Sequence, residues 1–256
     1  ETGVIMMSKY LKVEFLKEKR SANLKLIKLI PLVFVVFNIL MNTLMTKDMS
    51  GRSYLMATSF NWYPLIILPV LISLIAININ NKEKDYHEDL YKRIGADWRR
   101  MYLAKAILAA LELLIILLIS GLAIYLVGKL VLGEKIFLKE VLIGNLYLYV
   151  GSLVLLGFSF LLSKLLNKSI LIILFNFILS LIAPIIAIKD IWIFYPWSYS
   201  LRMLAPIVKI HPNGTFIEEN SFLLNMNDAY LGLALSLMVF LIFIGMGAFI
   251  ERRKNA

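Results

Sequence analysis

LAKAILAALELLIILLISGLAIYLVGKL, residues 103–130, contains only three charged side chains, Lys105, Glu112 and Lys129. Coiled at 1.5 Å per residue it is roughly 40 Å long, more than the ~30 Å hydrocarbon core of a bilayer demands. Lipid offers no partner to a backbone N–H or C=O, so such a run must close its hydrogen bonds on itself as a helix. Five other runs have the same character: 24–45, 62–79, 141–162, 170–188 and 230–250. Each holds at least about 17–20 residues, enough to cross. The reading is an all-α, polytopic membrane protein: one domain over 24–250 with six transmembrane helices, the third long enough to tilt or project.

Composition agrees. The chain is 60% hydrophobic with mean hydropathy +0.80, well above the ~45–50% apolar share of soluble domains. Its net charge of +10 does not point to nucleic acid, because the charge is sorted by side. With a cytoplasmic amino terminus, nineteen of the 27 Lys and Arg residues fall in inner segments and eight in outer ones. That bias, with an even number of spans, predicts both termini in the cytoplasm. Having no cysteine, the chain has no disulfide, thiol nucleophile or Cys-based metal site. Residues 1–5 precede tandem methionines, Met6 and Met7, and read as a non-native leader; 1–7 are set apart as leader and start. No cleavable signal is visible, since the first apolar run is too long and too late.

Two inner segments carry pattern. Over 8–23, Met7, Leu11 and Phe15 share a stripe at i, i+4 spacing, while Glu14 and Glu18 intrude on the apolar arc. This predicts an imperfect membrane-surface helix, or else a solvated basic tail that serves topology alone. Between spans two and three, Asp85 and Glu88 resemble a capping box, and Tyr86, Leu90, Tyr91 and Ile94 line one face of a helix over about 86–94. Glu88–Lys92 and Asp89–Arg93 are acid-first i, i+4 pairs on the other face. Gly95 is a natural stop, and Asp97 can cap the next span. A helix of two to three turns is unstable alone; it must dock on a partner or rest on head groups.

Polar residues elsewhere are sparse. Glu112 is the single acid deep in a span, a placement costing about 2.5–3.5 kcal/mol on insertion scales. It must face the bundle, a partner or water, as a hydrogen-bonded tie between helices or as an ion-coupling site. Asn38, Asn42 and Asn176 read as helix-packing amides more readily than as substrate ligands. Gly144, Gly151 and Gly157 in the fourth span and Gly232, Gly245 and Gly247 in the sixth permit close helix contact. Pro184 should kink or end the fifth. Outside, the long loop 189–228 carries Tyr195, Pro196, Trp197 and Tyr199 before Pro206: either a belt lying in the interface or a re-entrant element closing an outward path. The tail 251–256 returns to the cytoplasm.

Catalytic patterns are missing. His87 and His211 form no HExxH pair, and there is neither a GxSxG elbow nor a GxxxxGK[ST] phosphate loop. Asn167-Lys168-Ser169 and Asn213-Gly214-Thr215 match the glycosylation sequon, a weak pattern. No catalytic residue, metal or cofactor is expected in this chain; energy for work must come from a gradient or a partner.

An amphipathic amino-terminal helix, six spans, a short helix between spans two and three and a long final outer loop resemble the ABC type-2 permeases. Met7-Ser8-Lys9-Tyr10-Leu11-Lys12-Val13-Glu14-Phe15-Leu16-Lys17 and Tyr195-Pro196-Trp197-Ser198-Tyr199 look like the lantibiotic-immunity permeases. The resemblance implies a bacterial cell-membrane exporter in which two permease subunits, often non-identical, sit on two cytoplasmic ATPases that bind ATP and Mg. Tyr86, Leu90, Tyr91 and Ile94 would then grip the ATPase as a coupling helix, with Glu88, Lys92 and Arg93 orienting it. The substrate would be an antimicrobial peptide expelled to the medium. Two alternatives stand beside this: a gradient-driven secondary transporter using Glu112, and a membrane scaffold subunit with no transport path.

Overall fold

The computed structural model describes residues 2–19, 21–44, 52–82, 90–166 and 168–255. The helices are α1 (Thr2–Glu18), α2 (Ala22–Leu44), α3 (Tyr54–Asn80), α4 (Trp98–Val131), α5 (Leu138–Leu165), α6 (Ser169–Ala187), α7 (Tyr199–Val208) and α8 (Met226–Asn255). Among the described residues there is no strand, only an antiparallel bridge between Ile210 and Phe216. α2, α3, α4, α5, α6 and α8 are each long and apolar enough to cross a membrane.

Side-chain bonds define two ends of the bundle. At the α1 end, Lys82 pairs with Glu18, Asn80 donates to the Ser163 hydroxyl (2.9 Å), and Lys164 pairs with Glu251 (2.9 Å). At the opposite, loop end, Asn42 reaches Glu134 (2.9 Å) and Arg202 reaches Asp228.

The packing is layered around α3 and α5. Leu71 and Ile75 of α3, Leu113 and Ile116 of α4, and Leu148 and Leu156 of α5 are fully buried in one shared core. α2, α6 and α8 form the rim and turn Leu32, Leu40, Ile178, Ile185, Leu241 and Phe249 outward. α2 is inside out by the standard of a soluble helix: its buried side carries Asn23, Pro31, Phe34, Asn38 and Asn42 at one-turn and two-turn spacings. With lipid as the solvent, apolar groups face out at no cost and polar ones must find partners inside.

α3 begins eight residues before the span read from the sequence. Thr58, Ser59 and Asn61 dilute the apolar run there, yet all three are buried. The Thr58 hydroxyl donates to Leu55 O (3.0 Å) and the Asn61 amide to Pro212 O (2.7 Å), which lets polar residues extend a spanning helix. Pro64 and Pro69 are accommodated by a π turn at Tyr63–Ile67, as Pro69 has no N–H to give the preceding turn. Pro184 sits one turn before α6 ends. At Gly151 the backbones of α5 and α7 approach so closely that a Cβ would lie 2.9 Å from Ser200 Cα. Gly245, by contrast, faces open space.

Candidate functional site

At the α1 end, residues 90–93 form a helical turn that stops where expected. Gly95 adopts φ +64°, Gly95 N donates to Lys92 O (3.1 Å) and Ala96 N to Tyr91 O (2.9 Å). This pair of bonds satisfies the last carbonyls of a helix. Asp97 then caps α4, its Oδ1 accepting from Arg100 N (3.1 Å). α1 fastens the turn: Asp97 N donates to the Tyr10 hydroxyl (2.9 Å), and the Lys17 ammonium lies 5.3 Å from the Tyr91 ring. Tyr91 also meets Trp98 edge-on at 6.0 Å, so it is held by neighbours, while Leu90 and Ile94 stand 52% and 67% exposed beside exposed Lys92 and Arg93. Tyr86 and Glu88, with Asp85, His87 and Asp89, lie outside the described residues.

Just beneath this turn is a buried layer of charge. Glu14 and Glu18 of α1 are only 1% and 5% exposed, because the helix turns that side to the bundle and gives Val13, Phe15 and Leu16 to the lipid. Glu14 Oε1 accepts from Lys17 (2.7 Å), and Glu18 pairs with Lys82 and the Ser21 hydroxyl. Burial pushes the Lys82 ammonium below the usual lysine range, and the Glu112 and Glu14 carboxylates pull it back up.

Glu112 Oε2 accepts from the Asn23 amide (2.7 Å), whose own oxygen accepts from Asn78 (2.8 Å). Asn23 opens α2 and Asn78 closes α3, so Glu112 is level with those helix ends rather than at mid-bilayer. The stretch of α4 before it runs past them alongside α1. Asn38 is a separate place: it lies fifteen residues from Asn23, about 22 Å along α2, and donates to Phe34 O of its own helix (2.8 Å).

Asn176 is a third place and a hub. Its amide donates to the hydroxyls of Ser73 in α3 (2.8 Å) and Ser159 in α5 (2.7 Å), and its oxygen accepts from the Trp197 indole (3.2 Å). Trp197 belongs to the loop after α6, yet it meets α6 eleven residues before that helix ends, roughly 16 Å into the bundle. The Tyr195 hydroxyl follows it, donating to Leu179 O (2.7 Å). Tyr199 donates to Ile193 O (2.6 Å) and meets Trp192 edge-on. Burial raises the pKa of both phenols, keeping them protonated as donors. Pro196 starts a single 3-10 turn, and α7 beyond it is buried at every position from Tyr199 to Pro206. A belt lying on the membrane surface would expose one side of that helix; this one is wedged among α3, α5, α6 and α8.

Two residues that the sequence reading passed over complete the loop end. Arg202 is 4% exposed, bonded to Asp228 through Nε (3.0 Å) and a terminal nitrogen (2.5 Å) and to Ala187 O (3.1 Å). Glu134 accepts from Asn42, from the Ser53 hydroxyl (2.6 Å) and from Leu55 N (3.1 Å), tying α2 to the start of α3. A lone Arg in an apolar loop was a usable signal for the first. The second had none, since its partners are about 80–90 residues away.

The family model described as ABC-2 family transporter protein matches residues 10–186. The chain belongs to that family. It is an ABC-transporter membrane subunit. No curated protein and no solved structure matched it. Within the permease, the matched region runs from α1 to the last turn of α6. It includes the 90–97 turn, Glu112 and Asn176, and stops short of Trp197, Arg202 and α8.

Proposed function

We propose that the permease works as half of an ATP-driven exporter in the bacterial cell membrane, with both termini cytoplasmic and the α1 end facing two ATPase subunits. One observation carries this reading: Leu90 and Ile94 project, exposed and flanked by Lys92 and Arg93, from a turn pinned to both α1 and α4. An apolar pair on a rigid mount is what a partner's cleft needs if its movement is to reach the spans. Among the described residues no group of His, Cys, Asp and Glu could hold a metal, and this reading places ATP and Mg on the ATPases. Tyr86 and Glu88 would extend the same contact.

The substrate we assign is a lantibiotic-type antimicrobial peptide, supported by the likeness of residues 7–17 and 195–199 to lantibiotic-immunity permeases. Tyr195, Pro196, Trp197 and Tyr199 would be the outer gate, and a second, non-identical permease the other half. Leu90→Asp is expected to weaken co-purification of the ATPase at least about tenfold, or ~1.4 kcal/mol, leaving the permease folded. Cells carrying it should lose peptide resistance. Unchanged ATPase binding and resistance would sink the coupling assignment. Undiminished peptide sensitivity in cells with intact permease and ATPase would remove the peptide and leave the coupling untouched.

A further inference from the structure

The loop end holds a cavity of about 510 Å³ that neither the coupling turn nor the gate uses. Its walls are the start of α3, the α4–α5 connection and a small hairpin after α7, in which Ile217 N donates to Lys209 O (3.2 Å) and His211 N to Thr215 O (2.8 Å). Asn213 and Thr215, the sequon residues, make this turn: Asn213 Oδ1 accepts from the Thr215 N–H (3.0 Å) and hydroxyl (2.8 Å).

Both signs of charge line the cavity: Arg52, Lys135 and Lys209 with Glu140 and Glu219. All five are exposed, and among the described residues none is in an ion pair. The Arg52 guanidinium is positioned, 5.3 Å from the Phe216 ring and donating to Ile217 O (3.4 Å), which uses one of its five N–H groups. Met56, Val208 and Phe216 supply apolar surface. Lys209 is the one non-glycine residue with positive φ among the described residues (φ +56°, ψ +37°). Glycine is the usual occupant of such a position after a helix, and a lysine kept there at a steric cost puts a cation on the rim.

The cavity lies beside the loop-end starts of the apolar helices α3 and α5, the level expected for lipid head groups around a spanning helix. Its volume falls within the range of small-molecule sites, which pair apolar surface with a few polar anchors. Three cations suit a phosphate, two carboxylates suit an ammonium, and the apolar surface suits the first carbons of a lipid. We propose that this cavity binds a zwitterionic phospholipid head group, phosphate to Arg52, Lys135 and Lys209, ammonium to Glu140 and Glu219.

The test uses the purified full chain in detergent, titrated by calorimetry with short-chain phosphatidylethanolamine, short-chain phosphatidylglycerol and inorganic phosphate. Lys209→Gly removes the cation while giving the backbone the residue its conformation prefers, so fold and binding separate. Its thermal midpoint should be equal or higher, and its affinity for the ethanolamine lipid at least fivefold lower. Glu219→Gln should weaken the ethanolamine lipid and leave or strengthen the glycerol lipid. Equal binding by wild type and Lys209→Gly would overturn the site. Inorganic phosphate binding as tightly as the ethanolamine lipid would overturn its assignment to a lipid.

Discussion

Glu112 shows how much a single side chain depends on depth. A carboxylate is costly at the bilayer centre and far less so near its edge, and Asn23 and Asn78 place this one at the edge. It accepts one bond from Asn23 and shares its field with Lys82. Glu112→Gln keeps an acceptor for Asn23, so an exporter driven by ATP should assemble and confer resistance as before. Loss of transport from a correctly assembled Glu112→Gln protein, measured as peptide sensitivity, would instead make the carboxylate an ion-linked group. The sequence marked Glu112 and Asn176 because polar atoms stand out in apolar runs. It could not place them, since depth is set by the helix alongside: α4 is offset from α2 by the stretch that carries α1. Glu134 escaped because it lies in a loop, where charge is unremarkable until the fold brings partners from about 80–90 residues away, whereas Arg202 did stand out in its apolar surroundings but its partner Asp228 could not be read.

Most of the spanning elements were legible to within five residues of the apolar runs that announced them. α2, α5 and α6 start and end within three residues of their runs, and α8, whose charged ends lie outside its run, within five. α3, with 67% of its apolar window buried against 17% for α2, begins eight residues early because the bundle tolerates polar groups that lipid does not. In α1 the two acids that interrupt the apolar arc, Glu14 and Glu18, are buried against the bundle; a helix packed on charge looks much like one lying on head groups. At the contact between α5 and α7 the absence of a side chain is required. Gly151→Leu would drive a side chain into the Ser200 backbone, and overpacking of this kind costs about 1–3 kcal/mol. A lowered thermal midpoint in detergent is the expected result. An unchanged midpoint would mean that α7 is free to move away.

For the whole molecule, the two ends differ in kind. The α1 end joins its helices through carboxylates, lysines and amides and leaves two apolar side chains free on a fixed turn. The loop end is closed by α7, which is held by the bond from Arg202 to Ala187 O at the end of α6 and by the Arg202–Asp228 pair, while Tyr195 and Trp197 just before it bond into α6. That pair has a consequence for biogenesis. Asp228 opens the last span, so a ribosome that has produced α7 has not yet produced the charge that Arg202 needs. The expected order is therefore that the wedge seats only once the final helix has inserted, as the closing step of assembly. Because the chain lacks cysteine, Ser200→Cys reports on this directly. A membrane-impermeant thiol reagent should label a released chain truncated at residue 225 and spare the finished protein; equal protection in both would mean that the wedge seats without its counter-charge.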